Sequence, residues 1–547
     1  MRPVLFRPAA GLVGVLALAL VAGCSGASEA ARTVTVDTLA NPGGDVVALA
    51  DGSTDADIDR AITNAVGQLP DLIQAAMDQV GVPGLAVAVV HGGETIYSGG
   101  FGVKVLGIDD PADEKIDAET VFQIASLSKS ISATAVAKAV TEGAISWTKP
   151  VIQNLPNFAM SDPYVTTNAT VGDYFSHRSG LATGAGDDLE DIGYGRRYIL
   201  DHLDRQPLAP FRSTYQYSNY GLTVGAEAAA AALGMSWEDA VEKLVYEPIG
   251  MTSSSSRYQD FLDQDNRATI HALVDGEFVP RYDRDPDPQS PAGGVSSNVL
   301  DLAKWMKVIL AQGKLNGADY IDPSALLAAT TGQMISGHPT SPTARTSMYG
   351  YGFNVGSQAS GRTSISHSGA FVLGAATGFQ LIPSLDLGIV TLTNAGPQGV
   401  PEAVNAEFLD LVQYGHVTRD WVSDFNGALG AYYNPVGDLV GKVRPHNATS
   451  AGNASDYIGK YTNDYFGTLS ISEHDGDLVA ALGPGGGYRV TLDPWDRDTF
   501  SFVPTGENAP SGSLSSATFS RTGNSVTSLT MDFFNGQGLG TWNKAIP

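Results

Sequence analysis

Phe122-Gln123-Ile124-Ala125-Ser126-Leu127-Ser128-Lys129-Ser130-Ile131-Ser132-Ala133 is the stretch on which the reading of this chain turns. Residues 121–124 are largely apolar, and 130–142 is a helical run that includes Ala133, Ala135, Ala137 and Val140. A helix entered at Ser126 places Ser126 and Lys129, three positions apart, on one face. The amine can then take the proton of the hydroxyl, provided that burial and nearby positive charge lower its pKa. A serine at a helix N-terminus also has a backbone N–H free to hold an oxyanion. The spacing alone is a weak signal, because Ser146-Trp147-Thr148-Lys149 repeats it. There, however, Lys149 precedes Pro150, which disfavours helix at the lysine and spoils the shared face.

Two further motifs follow in order. Tyr217-Ser218-Asn219 offers a phenol to shuttle a proton and an amide to bind a substrate carbonyl and Lys129. The same Y-x-N pattern occurs at Tyr432-Tyr433-Asn434 and Tyr461-Thr462-Asn463, where surface turns are expected. His367-Ser368-Gly369-Ala370 leads into a hairpin. His367 is expected at the start of an edge strand, supplying a polar or cationic contact, with Gly369 letting substrate approach the backbone. His91-Gly92-Gly93 and His474-Asp475-Gly476 share the H-x-G pattern but read as hairpin turns.

Around these motifs the chain alternates in period. Ile58, Ile62, Val66, Leu69, Leu72, Ile73, Met77 and Val80 fall at helical spacing. A hairpin follows over 85–97, and a second one pairs 377–382 with 387–392 across Pro383-Ser384-Leu385-Asp386. Strands near both ends with helices between them predict an α+β domain whose sheet joins the two ends. From 418 to 455 the sequence is irregular, and beyond it the period becomes two. Leu469 and Ile471, Val490 and Leu492, then Phe500 and Phe502 show the alternation. This predicts an all-β module, a small sandwich or barrel. The expected division is 1–23 signal peptide, 24–56 tether, 57–417 hydrolase domain, 418–455 linker and 456–547 β module.

The order of the blocks resembles the serine β-lactamase-related hydrolases, the family of class C β-lactamases, D,D-peptidases, D-aminopeptidases and certain esterases. The resemblance runs from Pro83-Gly84-Leu85 through the Ser126 block, His177-Arg178-Ser179-Gly180-Leu181 and Tyr217-Ser218-Asn219. It continues through Pro291-Ala292-Gly293-Gly294-Val295 to His367-Ser368-Gly369. It implies a β-lactamase/transpeptidase-like fold, with a five-stranded antiparallel sheet flanked by helices and a helical half beside it. It also implies Ser126 as nucleophile, Lys129 and Tyr217 sharing the general-base work, and an oxyanion hole made by the N–H groups of Ser126 and Ala370. Asn219, His367 and Gly369 would bind substrate, and His177-Arg178-Ser179-Gly180 would be a structural turn. The β module resembles the lipocalin-like domain of some members. His367 stands where a lysine is common in the family, which speaks for esters or peptides over β-lactams.

Composition narrows the alternatives. With 43% hydrophobic and 16% charged residues the 547-residue chain is globular, and a net charge of −26 argues against nucleic-acid binding. Arg2 and Arg7 precede a short apolar run that ends in Leu20-Val21-Ala22-Gly23-Cys24, which resembles a bacterial lipoprotein cleavage box. The expected product is exported and membrane-anchored through lipidated Cys24, the only cysteine. No cofactor or metal is implied, and the expected partner is a small-molecule or peptide substrate. The competing readings are a β-lactamase proper, a non-catalytic penicillin-binding-like sensor and a solute-binding lipoprotein. Oligomeric state is not legible.

Overall fold

The computed structural model describes residues 49, 53–108, 114–339, 341–342 and 344–545. The expected signal segment, Cys24 and most of the tether therefore lie outside the described residues.

Helix α1 (Asp55–Val80) starts on a capping box in which Thr54 and Asp57 bond each other's backbone N–H, and it ends on left-handed Gly81. The hairpin β1 (Gly84–His91) and β2 (Glu94–Gly102) follows. Helix α2 (Ser128–Thr141) begins two residues earlier than its composition suggests, out of a 3-10 turn over Ala125–Leu127. Helices α3 (Asp187–Asp191), α4 (Asn219–Leu233) and α5 (Val299–Leu310) belong to the section between the sheet's two ends.

The sheet then gains β3 (Met334–Gly337), β4 (Ser347–Tyr349), β5 (Asn354–Ser357), β6 (Thr363–Phe371), β7 (Ala375–Ile382) and β8 (Leu387–Thr393). Its order is β2-β1-β8-β7-β6-β5-β4-β3, antiparallel throughout, so the N-terminal hairpin joins the C-terminal strands as expected. The sheet has eight strands rather than five. The three extra ones span four residues or fewer, too short for a period of two to register in sequence.

Burial explains the apolar run of β1. Leu85, Val87 and Val89 pack in one core with α1 and with α6 (Val400–Tyr414), whereas Ala86, Ala88 and Val90 pack in the other with residues of α2 and α5. A strand covered on both faces loses its polar alternation.

The stretch read as an irregular linker contains α7 (Trp421–Leu429), capped by Asp420 and burying Trp421, Val422, Phe425 and Leu429. Beyond it lies a closed eight-stranded barrel. Its strands are β9 (Gly459–Asn463), β10 (Gly467–His474), β11 (Asp477–Leu482), β12 (Tyr488–Asp496), β13 (Thr499–Phe502), β14 (Ser515–Thr522), β15 (Ser525–Met531) and β16 (Thr541–Lys544). Each pairs with its sequence neighbour, and β9 with β16 closes the circle, leaving no free edge. Tyr461 is fully buried on β9, so the Y-x-N match there is a barrel strand and not a surface turn.

The barrel is a separate domain, yet it is fastened to the region around α3. Tyr465 Oη donates to Asp188 Oδ1 at 2.9 Å, and Asn508 Nδ2 to Asp191 Oδ2 at 2.7 Å. Tyr194 and Tyr198, stacked 3.7 Å apart, donate to the carbonyls of Phe466 and Tyr465. At Gly483 any Cβ would stand 1.9 Å from the Ile192 carbonyl oxygen, so only glycine permits this approach.

Candidate active site

Ser126 occupies the 3-10 turn ahead of α2. The turn is tight: Ala125 is held at φ 47°, a left-handed conformation that costs a non-glycine residue about 1–3 kcal/mol. Ser128 Oγ donates to the Ala125 carbonyl at 2.6 Å and helps to hold it.

Lys129 is fully buried, and its Nζ lies 3.0 Å from Ser126 Oγ, 2.8 Å from Asn219 Oδ1 and 2.9 Å from the Ala292 carbonyl. Burial lowers its pKa from 10.5 to about 7, against the opposing influence of Asp187. The nearby positive charge expected to help is replaced by burial alone. A neutral amine has two N–H donors and one lone pair. Asn219 Oδ1 and Ala292 O accept the two donors, which leaves the lone pair for the Ser126 hydroxyl.

The Tyr217 hydroxyl is hydrogen-bonded with Ser126, and burial pushes it well above the usual phenol range. It is a phenol, not a phenolate, so the stronger proton acceptor at Ser126 is Lys129. The Tyr217 ring centroid lies 4.7 Å from Lys129 Nζ, a π-face available to the ammonium once the proton has moved.

Three residues at the site were not found by sequence reasoning. Asp187 Oδ1 and Oδ2 each lie 3.3 Å from Asn219 Nδ2. Burial, and then the Glu190 charge, raise its pKa well above the carboxylate range. Tyr349 Oη is 2.8 Å from His367 Nε2. His177 lies with its ring centroid 4.4 Å from that of Tyr217 and accepts from the Ser218 N–H through Nδ1. Only a structural turn is expected at His177-Arg178, and Arg178 does serve that end, pairing with buried Asp173 at 2.7 Å. No sequence signal marked Asp187 or Tyr349.

His367 departs from expectation. It lies in the middle of β6 and is buried; burial, followed by the Lys129 charge, lowers its pKa to about 3. Nδ1–H donates to the Ser368 carbonyl at 2.6 Å, and Nε2 accepts from Tyr349. The ring is neutral with both nitrogens committed, so it offers no cationic contact. Gly369 also has a different reason from the one expected. A Cβ there would meet Ile124 O at 2.5 Å and Ser126 N at 2.9 Å. Glycine therefore lets β6 lie against the serine turn, whatever the substrate does. Ala370 follows on the same strand, half-buried.

The other pattern matches do not converge here. Ser146 sits in a turn, its Oγ 3.4 Å from Thr148 Oγ1, and His91 and His474 flank hairpin turns.

The beta-lactamase family pattern matches residues 69–414, most of the chain and every site residue from Ser126 to Ala370. The chain belongs to the beta-lactamase family. Residues 443–541 of this family member match a second pattern, a domain of unknown function. It is 28% identical to an unguisins hydrolase of Aspergillus campestris over 59% of this chain and 60% of that one. It is 27% identical to penicillin-binding protein 4 of Amycolatopsis lactamdurans over 47% and 66%. It thus spans less than two thirds of either relative. An octameric penicillin-binding protein homologue from Pyrococcus abyssi shares the fold, with a TM-score of 0.54, 19% identity, and coverage of 88% of this chain and 100% of that chain.

Proposed function

We propose that this chain is an acyl-serine hydrolase cleaving an ester or amide, of the small-ester, D-amino-acid or cell-wall-peptide kind. Ser126 Oγ attacks the carbonyl while Lys129 takes its proton. The N–H groups of Ser126 and Ala370 receive the oxyanion, and Tyr217 gives its proton to the leaving group and is reprotonated by the Lys129 ammonium. Water then attacks the acyl-Ser126 ester by the reverse relay and releases the acid and the free serine. Asn219 and the open edge of β6 at Ala370 hold the substrate. The observation that carries this reading is the buried Lys129 amine, 3.0 Å from Ser126 Oγ with its two donors already engaged.

The neutrality of His367 favours substrates that need no fixed cation for a carboxylate, hence simple esters or amides over penicillins. The test is hydrolysis of p-nitrophenyl acetate and of benzylpenicillin. Wild type is expected to favour the ester in kcat/KM. Ser126→Ala is expected to lower ester turnover at least about 1,000-fold, with Ser146→Ala near wild type. Faster turnover of penicillin than of any neutral ester would replace this reading with a β-lactamase proper, and a stable acyl adduct with no turnover would make the chain a sensor.

The proposal includes export and lipid anchoring through Cys24, on the strength of Leu20-Val21-Ala22-Gly23-Cys24. Cys24→Ser should yield exported protein that leaves the detergent phase for the aqueous phase. Identical partitioning of the variant and wild type contradicts the anchor.

A further inference from the structure

The open edge of β6 ends on a side chain from the barrel. Strand β5 pairs with β6 only from Thr363 to Ser366, so from His367 to Phe371 one edge of β6 has no neighbouring strand. At the hairpin turn Gly374 N–H donates to the Phe371 carbonyl at 2.9 Å, so Phe371 directs its backbone polar groups at β7. Successive residues of a strand direct theirs to opposite sides. Ala370 therefore faces the open edge, and Val372, two residues on, is the next donor along it. That donor is taken. Val372 N–H donates to Glu507 Oε1 at 2.5 Å, and Leu373 N–H to Oε2 at 3.3 Å.

Glu507 belongs to the barrel loop between β13 and β14. It is fixed by Arg284, whose Nε lies 3.9 Å from Oε2 and whose guanidinium lies 5.0 Å from the ring centroid of Phe371. Arg284 is itself anchored to Glu190 at 2.7 Å. The neighbouring Asn508 is tied to Asp191, so the loop is held at both residues.

We propose that Glu507 caps the substrate-binding edge of β6 just past Ala370, restricting the enzyme to acyl groups that do not continue along that edge as an added strand. A peptide that pairs with a sheet edge gains affinity from each main-chain bond it makes there. Here the bond after Ala370 would have to displace a charge-assisted one, which is the stronger kind. The barrel would in this way set substrate length without touching Ser126.

The proposal rests on the acyl-serine reading, and its test separates the two. Full-length protein is assayed with p-nitrophenyl acetate and with the p-nitrophenyl ester of N-acetyl-glycyl-alanine. The assays run at pH 8, because burial raises the Glu507 pKa to about 7. In Glu507→Ala the ratio of kcat/KM for the long ester over the short one should rise at least about fivefold. In Glu507→Gln, which keeps an acceptor oxygen for Val372 but loses the charge, it should rise less than in Glu507→Ala. Glu507→Asp, one methylene shorter, should raise the ratio and serves if the alanine variant does not fold. An unchanged or lower ratio in folded Glu507→Ala and Glu507→Asp overturns the cap. If wild type turns over neither ester, the acyl-serine reading fails by itself. The cap is then decided by calorimetric binding of N-acetyl-glycyl-alanine amide, which must tighten in Glu507→Ala; equal affinity overturns it.

Discussion

Replacing Lys129 by alanine is expected to slow acylation of Ser126 by about 100- to 10,000-fold at pH 8, the range that loss of a general base produces. The burial that brings Lys129 to about 7 makes it a base near neutrality. The sign follows directly. Below pH 7 the amine is protonated and its lone pair is gone, so wild-type acylation should rise with pH through about 7. Lys129→Ala should lose that rise, and Lys129→Arg should not restore it, because a guanidinium stays charged. Labelling by a fluorophosphonate, timed across pH 5.5 to 9, measures both effects. A wild-type profile flat across pH 7, or unchanged in Lys129→Ala, would remove Lys129 from the reaction.

Arg284→Ala is expected to destabilise the folded chain by about 3–5 kcal/mol, the cost of leaving a buried carboxylate without its partner. Arg284 is 9% exposed and pairs with Glu190 at 2.7 Å. Burial works against its charge, but Glu190 and Glu507 outweigh burial and hold its pKa above the usual value. The Glu190 carboxylate also accepts from Gln289 and Tyr220, so the loss reaches the segment leading to Ala292. Arg284→Lys should recover only part of the loss, since one point charge cannot serve Glu190, Glu507 and the Phe371 ring together. Chemical denaturation of the two variants measures this; a change under about 1 kcal/mol in Arg284→Ala would show the pair to be solvated.

These two residues mark what sequence could and could not convey. Lys129 was legible because its partner lies three residues away, within one turn, and local spacing survives in a linear text. The alternation of Leu469 and Ile471 showed the barrel for the same reason. Arg284, Glu190 and Glu507 lie far apart in the chain, and each alone looks like a surface charge. Asp187 and Tyr349 reach the site by tertiary packing alone, as do the contacts that keep His367 neutral. Strands of three or four residues such as β4 carry no period to read. Helix α7 was hidden because Trp421, Val422, Phe425 and Leu429 span barely two turns amid glycine and proline. Gly369 was noticed for the wrong cause: the need for a bare Cα was visible, but the serine turn packed against it was not.

The most direct measurement of the central claim is the site of covalent labelling. Full-length protein is treated with a fluorophosphonate at pH 8, digested with trypsin and mapped by fragment-ion mass spectrometry. The peptide 116–129 contains both Ser126 and Ser128, so the fragments must separate them. The expected result is a single adduct on Ser126, absent in Ser126→Ala and slowed in Lys129→Ala. An adduct on Ser128 or Ser146, or undiminished labelling of Ser126→Ala, would contradict it.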